Sequence, residues 1–412
     1  MRLSRRSTIS IAVFVGVALL IAAGYTLEVR RAGPESLSNT LDLSISSGGD
    51  RGAGTLREAL FIAATAPGAV RISLDVPKVS LTSALPPIVN AHGVRIVARQ
   101  GGSEIDAGAL GEGPVLDVAA PNVSLENLAI ANCRGAAILV RAVHFSLQGT
   151  TLSACDIGVD VAESAHDLLL EHNDFVNDRI GLRFAASSPD TTVSGNQFSG
   201  EKEAGVWAVR GDTGLQASAI TVRGNQFTDD HTALIVGNID ILIDQNAITG
   251  AQATAIDLVG GGAIVRRNRV SNSSGMGIVA EGARSAVIDG NELTGLPAYG
   301  IMIRGSSNAL VRANRISECA YGMAFVLGDS RNPSTAVDNI IIEPRYDGID
   351  VVGDTPILRQ NHVVQPHAFA LRVEDFNRPD GTTVKGAPFL DHNFFGGLVA
   401  ATAAGARGSS YR

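Results

Sequence analysis

From about residue 90 the chain alternates apolar and polar positions in short runs, and the runs return at a steady spacing. The stretches "SAVIDGNELTGLPAYGIMIRG", residues 285 to 305, and "NALVRANRISECAYGMAFVLG", residues 308 to 328, carry apolar residues at nearly the same steps. Aligned on Asn291, a column emerges at Asn173, Asn196, Asn225, Asn246, Asn268, Asn291, Asn314, Asn339 and Asn361. Thr150 and Leu128 hold the place earlier, and most steps are 21 to 25 residues. Two residues after each member stands an apolar one without exception, from Ile130 and Leu152 through Phe175, Phe198 and Phe227 to Val363. Three residues before each comes a second apolar column, from Leu125 to Leu358, in which Ala336 is the weak member. About nine residues after comes a run of the form Gly, apolar, any, apolar, as in Gly158-Val159-Asp160-Val161 and Gly300-Ile301-Met302-Ile303.

Each repeat therefore holds three short runs with a period of two and none with a helical period, which excludes a helical solenoid. Three strands in about 22 residues match one turn of a right-handed parallel β-helix, whose coils stack at ~4.8 Å. A leucine-rich repeat shares the period but needs its Asn inside a Leu-x-x-Leu-x-Leu frame, whereas here the Asn lies in a turn between two runs. Side-chain amides donate and accept, so an inward Asn stack along that turn is expected. The repetition is obligatory, because no single coil can bury its own apolar face. The spacing thus predicts an all-β, single-domain β-helix of about eleven or twelve coils over residues 34–400. Thr55 and Glu58 have capping-box spacing and Pro67-Gly68 stop the run, which predicts a helix over 56–65 covering the first coil. At the other end "EDFNRPDGTTVKGAPFLDHNFFGG" departs from the period, Asn393 and Phe395 mark a last coil, and 401–412 reads as a frayed tail.

Composition narrows the function. Aromatics are 5% and glycines number 46, which suits stacked small aliphatic side chains rather than aromatic cores. A net charge of -8, with no Lys/Arg stripe read along the chain, argues against a nucleic-acid partner. "MRLSRR" followed by the uncharged, mostly apolar 19 residues from Ile9 to Leu27 reads as a signal peptide or N-terminal membrane anchor within 1–33. The expectation is an exported monomer, in the periplasm at the inner membrane or secreted.

"GGDRGAGTLREALFIAATAPGAVRISLDVPKVSLTSALPPI", residues 48 to 88, resembles the start of family 1 pectate lyases and other pectin-lyase-like β-helix proteins. The coils from Val94 to Val373 resemble the repeats of mannuronan epimerases, polysaccharide lyases and NosD-like proteins. Together these cover about three quarters of the chain. The resemblance implies the fold and a polysaccharide as partner; it carries over no catalytic residue. The Asp-Pro-His-Asp motif of the epimerases, the Asn-Thr-Asp and Gly-His-Gly motifs of polygalacturonases and the Arg-x-Pro-x-x-Arg of pectate lyases are all missing. "LDHNFFGG" at 390 to 397 echoes a pectate lyase segment but stands at the wrong end.

In pectin-lyase-like folds one sheet carries the substrate groove, and in this register it is the Gly-apolar-any-apolar run, whose third residue is expected to point outward. That column reads Asp160, Arg183, Trp207, Leu234, Asp257, Val279, Met302, Ala324, Asp350 and Arg372. Asp160, Arg183 and Trp207, with Asp257 further on, form a first candidate site for substrate binding. Trp207 can stack on a sugar ring, an Arg can hold a uronate carboxylate, and an Asp can act as acid, base or calcium ligand, which leaves calcium open as a cofactor. The competing reading is an Asp160–Arg183 ion pair beside a covered Trp. Asp350 and Arg372, with Arg345, Tyr346 and Asp347 in the preceding loop, form a second, catalytic candidate. β-Elimination and epimerisation need a neutralised carboxylate, a base for the C5 proton and an acid. Ser194, Arg223, Asp244, Arg266, Asp289 and Arg312 alternate in sign and read as a structural charge ladder. Cys133 and Cys155 stand one coil apart, in reach of a disulfide or as stacked thiols, with Cys319 alone. The eight His fit no metal-ligand spacing. Two functions remain open: a lyase or C5-epimerase on an acidic exopolysaccharide, or a non-catalytic polysaccharide-binding or scaffold protein.

Overall fold

The computed structural model describes residues 40–99, 102–186, 188–209 and 220–401. The leader expected within 1–33 and the tail after 401 lie outside the described residues. Among the described residues no helix is long and apolar enough to cross a membrane.

Three parallel sheets of 15, 14 and 13 strands wind around one core, giving about thirteen coils. Each coil sends one strand to each sheet in turn, as Leu168–Glu171, Asp174–Val176 and Ile180–Phe184 do. The count exceeds the expected eleven or twelve because the first rungs carry no ladder residue. Leu41–Ile45, Val70–Leu74 and Val94–Ala98 already stack in register before the Asn column begins. The helix spans Leu56–Thr65, as its capping residues predict, and it buries Leu56, Ala59, Leu60 and Ala63. Thr55 accepts a hydrogen bond from the Glu58 N–H, and the Glu58 carboxylate accepts one from the Gly54 N–H at 2.6 Å.

Both apolar columns point inward. Phe175, Phe198 and Phe227 stack face to face with centroids 4.5 and 4.7 Å apart. The Asn column is a continuous ladder from Asn173 to Asn393. At Asn268, the backbone N–H and the side-chain Nδ2 both donate to Asn291 Oδ1, at 2.9 and 3.0 Å, and Nδ2 also donates to the Ile243 carbonyl at 3.0 Å. The residue before each ladder Asn takes the left-handed conformation, which Gly195, Gly224 and Gly290 adopt freely. Arg267 and Ala313 adopt it as well, at φ 54° and 53°, held there by the ladder. Cys133 and Cys155 form a disulfide between adjacent coils, with Cα atoms 4.2 Å apart.

Candidate functional site on the third sheet

The third-sheet register runs Asp160, Arg183, Trp207, Ile235, Asp257, Val279, Met302, Ala324, Asp350, Arg372 on successive rungs. One expected member is displaced: Leu234 is fully buried, and Ile235 holds the column. Ala233 occupies the position that Gly205 fills in the coil before, so the sequence pattern there reads one residue early.

In the first cluster Arg183 grips Asp160 with two hydrogen bonds, Nε to Oδ1 at 2.8 Å and Nη2 to Oδ2 at 2.6 Å. This is the ion pair that the competing reading foresaw. Trp207 is half-buried and packs against Ala136, Ile157 and Ile180, so its ring is a fixed apolar shelf beside the pair. Asp257 does not join them. Ile235 separates it from Trp207, and burial, with Glu281 nearby, raises its carboxyl above the usual range.

The second cluster differs from its expected form. Asp350 does not point into solvent; it is 5% exposed, and Ala324 on the rung before it is also buried. The cover comes from a tyrosine stack placed by three successive coils. Tyr299 stacks on Tyr321 at 4.6 Å and Tyr321 on Tyr346 at 5.1 Å. Tyr299 reaches two rungs along to donate its phenol O–H to Asp350 Oδ2 at 2.8 Å, while Asp350 Oδ1 is buried with no partner. Burial pushes the Asp350 carboxyl up to about 7 against the opposing effect of the Tyr299 bond, and burial raises the Tyr299 phenol as well. Arg372 occupies the next rung but turns its guanidinium to Glu374 at 2.5 Å and to Asp347 at 3.5 Å. The buried Asp347 also accepts a hydrogen bond from the Phe369 N–H at 3.0 Å. Arg345 donates to the Leu296 carbonyl at 3.0 Å. Tyr346 is 54% exposed, so the outermost ring of the stack is open to a ligand.

Tyr299 and Tyr321 were not among the candidate residues, although the sequence marks them. Ala-Tyr-Gly occurs at 298–300 and again at 320–322, and one coil later Tyr346 stands one residue further before its glycine, in Tyr346-Asp347-Gly348. The charge ladder behaves as expected over part of its length, with Arg312 on Asp289 at 2.8 Å and Arg266 on Asp244 at 3.3 Å. Arg267 also bonds Asp244, and Arg223 turns away to Gln245. Among the described residues no three His, Cys, Asp or Glu side chains converge to hold a metal ion, and the Asp160 carboxylate is occupied by Arg183. The two clusters therefore do not fit a calcium site.

No curated protein matches the sequence. The backbone is similar to that of a PL6 alginate lyase in complex with trisaccharide, at 12% identity over 80% of this chain and 87% of that one, with a TM-score of 0.58. It is similar to the catalytic unit of a GH87 alpha-1,3-glucanase from Streptomyces thermodiastaticus, at 16% identity over 90% and 71%, with a TM-score of 0.52. A third likeness is to a tailspike protein mutant of E. coli bacteriophage HK620 in complex with hexasaccharide, at 12% identity over 78% and 76%, with a TM-score of 0.51. These structural neighbours are carbohydrate-active β-helix proteins. The family model described as "right handed beta helix region" matches residues 90–227 and 213–365, and the chain belongs to that family.

Proposed function

We propose that the protein is an exported, monomeric polysaccharide-binding protein that engages an acidic glycan along the outer face of the third sheet. The observation that carries this is the exposed ring of Tyr346, preceded by Arg345 and followed one rung on by Arg372, whose guanidinium Asp347 and Glu374 hold in place. A sugar ring stacks on an aromatic face, and a guanidinium pairs with a uronate carboxylate. Trp207 beside Arg183 repeats the combination nearer the N-terminus. The oligosaccharide complexes of the structural neighbours support a glycan as the ligand class. The basic leader and apolar segment before residue 28 support export, with the membrane as the place of attachment where the segment is retained. In a titration with oligouronates, Tyr346→Ala and Trp207→Ala should each weaken binding by about tenfold. Unchanged affinity in both variants would overturn the assignment of this face.

One observation favours a second reading, a lyase or C5-epimerase. Asp350, with its carboxyl near 7 and a tyrosine phenol on one oxygen, has the properties of a base matched to neutral pH. Its other oxygen is buried and unpartnered, so turnover requires the tyrosine cover to move. Incubation with uronate polymers, following absorbance near 235 nm for unsaturated ends and C5 proton exchange in heavy water, tests it. Activity lost in Asp350→Asn establishes the enzyme; silence in both signals with retained binding rejects it.

A further inference from the structure

The turn between the second and third sheets carries an arrangement that neither cluster uses. Consecutive rungs there present Arg134, Asp156, Arg179, Lys202 and His231 outward, a register fixed by the Asp156, Arg179, Lys202 and His231 N–H groups donating to the coil before. This is a basic stripe that the sequence reading did not find, because the coil spacing widens from 23 to 29 residues within it. A groove of about 690 Å³ runs along it, floored by the Cys133–Cys155 disulfide. Arg179 is committed, bonding Asp156 at 2.6 Å and Glu203. Arg134, Lys202 and His231 are exposed, and their side chains make no hydrogen bond or ion pair among the described residues, although Lys202 lies close enough to the buried Asp178 carboxyl to favour its charged form. In a chain of net charge -8, this groove sets three arginine and lysine cations against two carboxylates.

We infer that this groove is a second binding site for an acidic polysaccharide, in which Arg134 and Lys202 take spaced anionic substituents of the polymer and His231 supplies a hydrogen bond beside Lys202. The inference rests on the proposed glycan-binding function and adds a separate face to it. Arg134 and Lys202 lie three rungs apart along the solenoid axis, about 14 Å at a rung spacing of ~4.8 Å, and His231 stands one rung beyond Lys202, so a chain laid along the axis meets a free cation about every third pyranose residue. The Asp156–Arg179–Glu203 network stands between them and offers both donors and acceptors to sugar hydroxyls. A membrane surface fits less well. No large apolar side chain is exposed between Val89 and Val259 among the described residues, so this stretch has nothing to insert into lipid.

Fluorescence anisotropy with labelled oligogalacturonate and with its methyl ester tests the inference, using the full chain in mild non-ionic detergent. The comparison needs wild type, Tyr346→Ala/Arg372→Ala, and Arg134→Ala/Lys202→Ala/His231→Ala. Since the three groove side chains are exposed and unpaired, their loss leaves folding intact. The third-sheet double variant should retain binding that weakens with salt and is absent for the methyl ester. The groove substitutions, added to it, should weaken that residual binding by at least about tenfold. A loss of less than threefold on adding them overturns the groove, as does equal binding of the methyl ester, while third-sheet binding leaves the proposed function standing. If the wild type binds neither polymer, both fall. If phosphatidylglycerol vesicles bind in a groove-dependent manner and the polymer does not, the groove is a lipid site and the inference is wrong.

Discussion

Between the first and second sheets the turns are held by a column of amides; between the second and third, over part of the same coils, they are held by a column of carboxyls. Each Asn accepts the N–H of the preceding coil and donates onward, so every side-chain atom is used. Asp178, Glu201 and Asp230 stand on consecutive rungs, each 0 to 1% exposed. Asp178 Oδ1 accepts from the Cys155 N–H at 2.7 Å and Asp230 Oδ1 from the Glu201 N–H at 2.9 Å, the same role as in the Asn ladder. Their remaining oxygens, and both of Glu201, have no partner. An ionised carboxylate has nothing to donate, whereas a protonated one regains the donor that an amide always has. Burial accordingly pushes Asp178 and Asp230 up to about 7, and burial with the two flanking acids pushes Glu201 up to about 10. One geometry thus accepts two chemistries, and only the carboxyl column depends on protons.

The comparison can be broken most sharply from the carboxyl side, by the pH profile. With folded-state values above the ordinary carboxyl range, the folded chain holds more protons than the unfolded one. The stability these groups give is complete below about pH 4 and is lost as pH rises through about 7 for the two Asp and toward 10 for Glu201. Between pH 5 and 9 the wild type should lose on the order of 10 kcal/mol more than Asp178→Asn/Glu201→Gln/Asp230→Asn. Parallel profiles would mean the column carries no protons. Next comes the amide side. Asn268→Leu strips partners from the Asn246 N–H and side chain, the Ile243 carbonyl and Asn291 Oδ1, and should cost about 4 kcal/mol in urea unfolding. A cost below about 1 kcal/mol would show that water replaces the ladder.

Asp350 is an intermediate case, with one oxygen supplied by Tyr299 and the other unpartnered. Tyr299→Phe should make it like the carboxyl column, costing about 1 kcal/mol at neutral pH and raising the Asp350 carboxyl further. An unshifted Asp350 carbon resonance in an NMR titration would reject the bond. The smallest effect lies at the top of the ladder, where Thr150 Oγ1 accepts from the Leu128 N–H at 3.3 Å. Thr150→Asn should extend the amide column by one rung and gain about 0.5 kcal/mol in thermal unfolding. A loss would show that the first rung has no room for an amide.

The fold was legible because its signal repeats: the phenylalanine, leucine and Asn columns state the register many times, and an error in one coil is corrected by the next. The site was legible only where a residue's environment lies in its own rung. The Asp160–Arg183 pair follows from neighbouring rungs, and so does the partial charge ladder. Asp350 could not be read as buried, because its cover is Tyr299, 51 residues earlier, crossing two rungs. The column of inward acids followed by outward bases, Asp178-Arg179, Glu201-Lys202 and Asp230-His231, is visible as three dipeptides once the turn register is known. Without that register, acid-base dipeptides are common surface chemistry.

The ladder keeps its geometry although its steps vary, reaching 32 residues between Asn361 and Asn393. In that coil the surplus follows the third-sheet strand Phe369–Glu374 and folds into the antiparallel pair Phe376–Asn377 and Thr383–Val384. In the coil from Asn314 to Asn339, a 25-residue step, the extra residues follow Tyr321–Val326 at the same corner. In these two coils the surplus is therefore absorbed at one vertex of the cross-section, the corner that follows the third sheet. A guest peptide or reporter domain spliced after Pro379 would inherit that tolerance, and the solenoid could be used as a rigid ruler that displays cargo along a single edge.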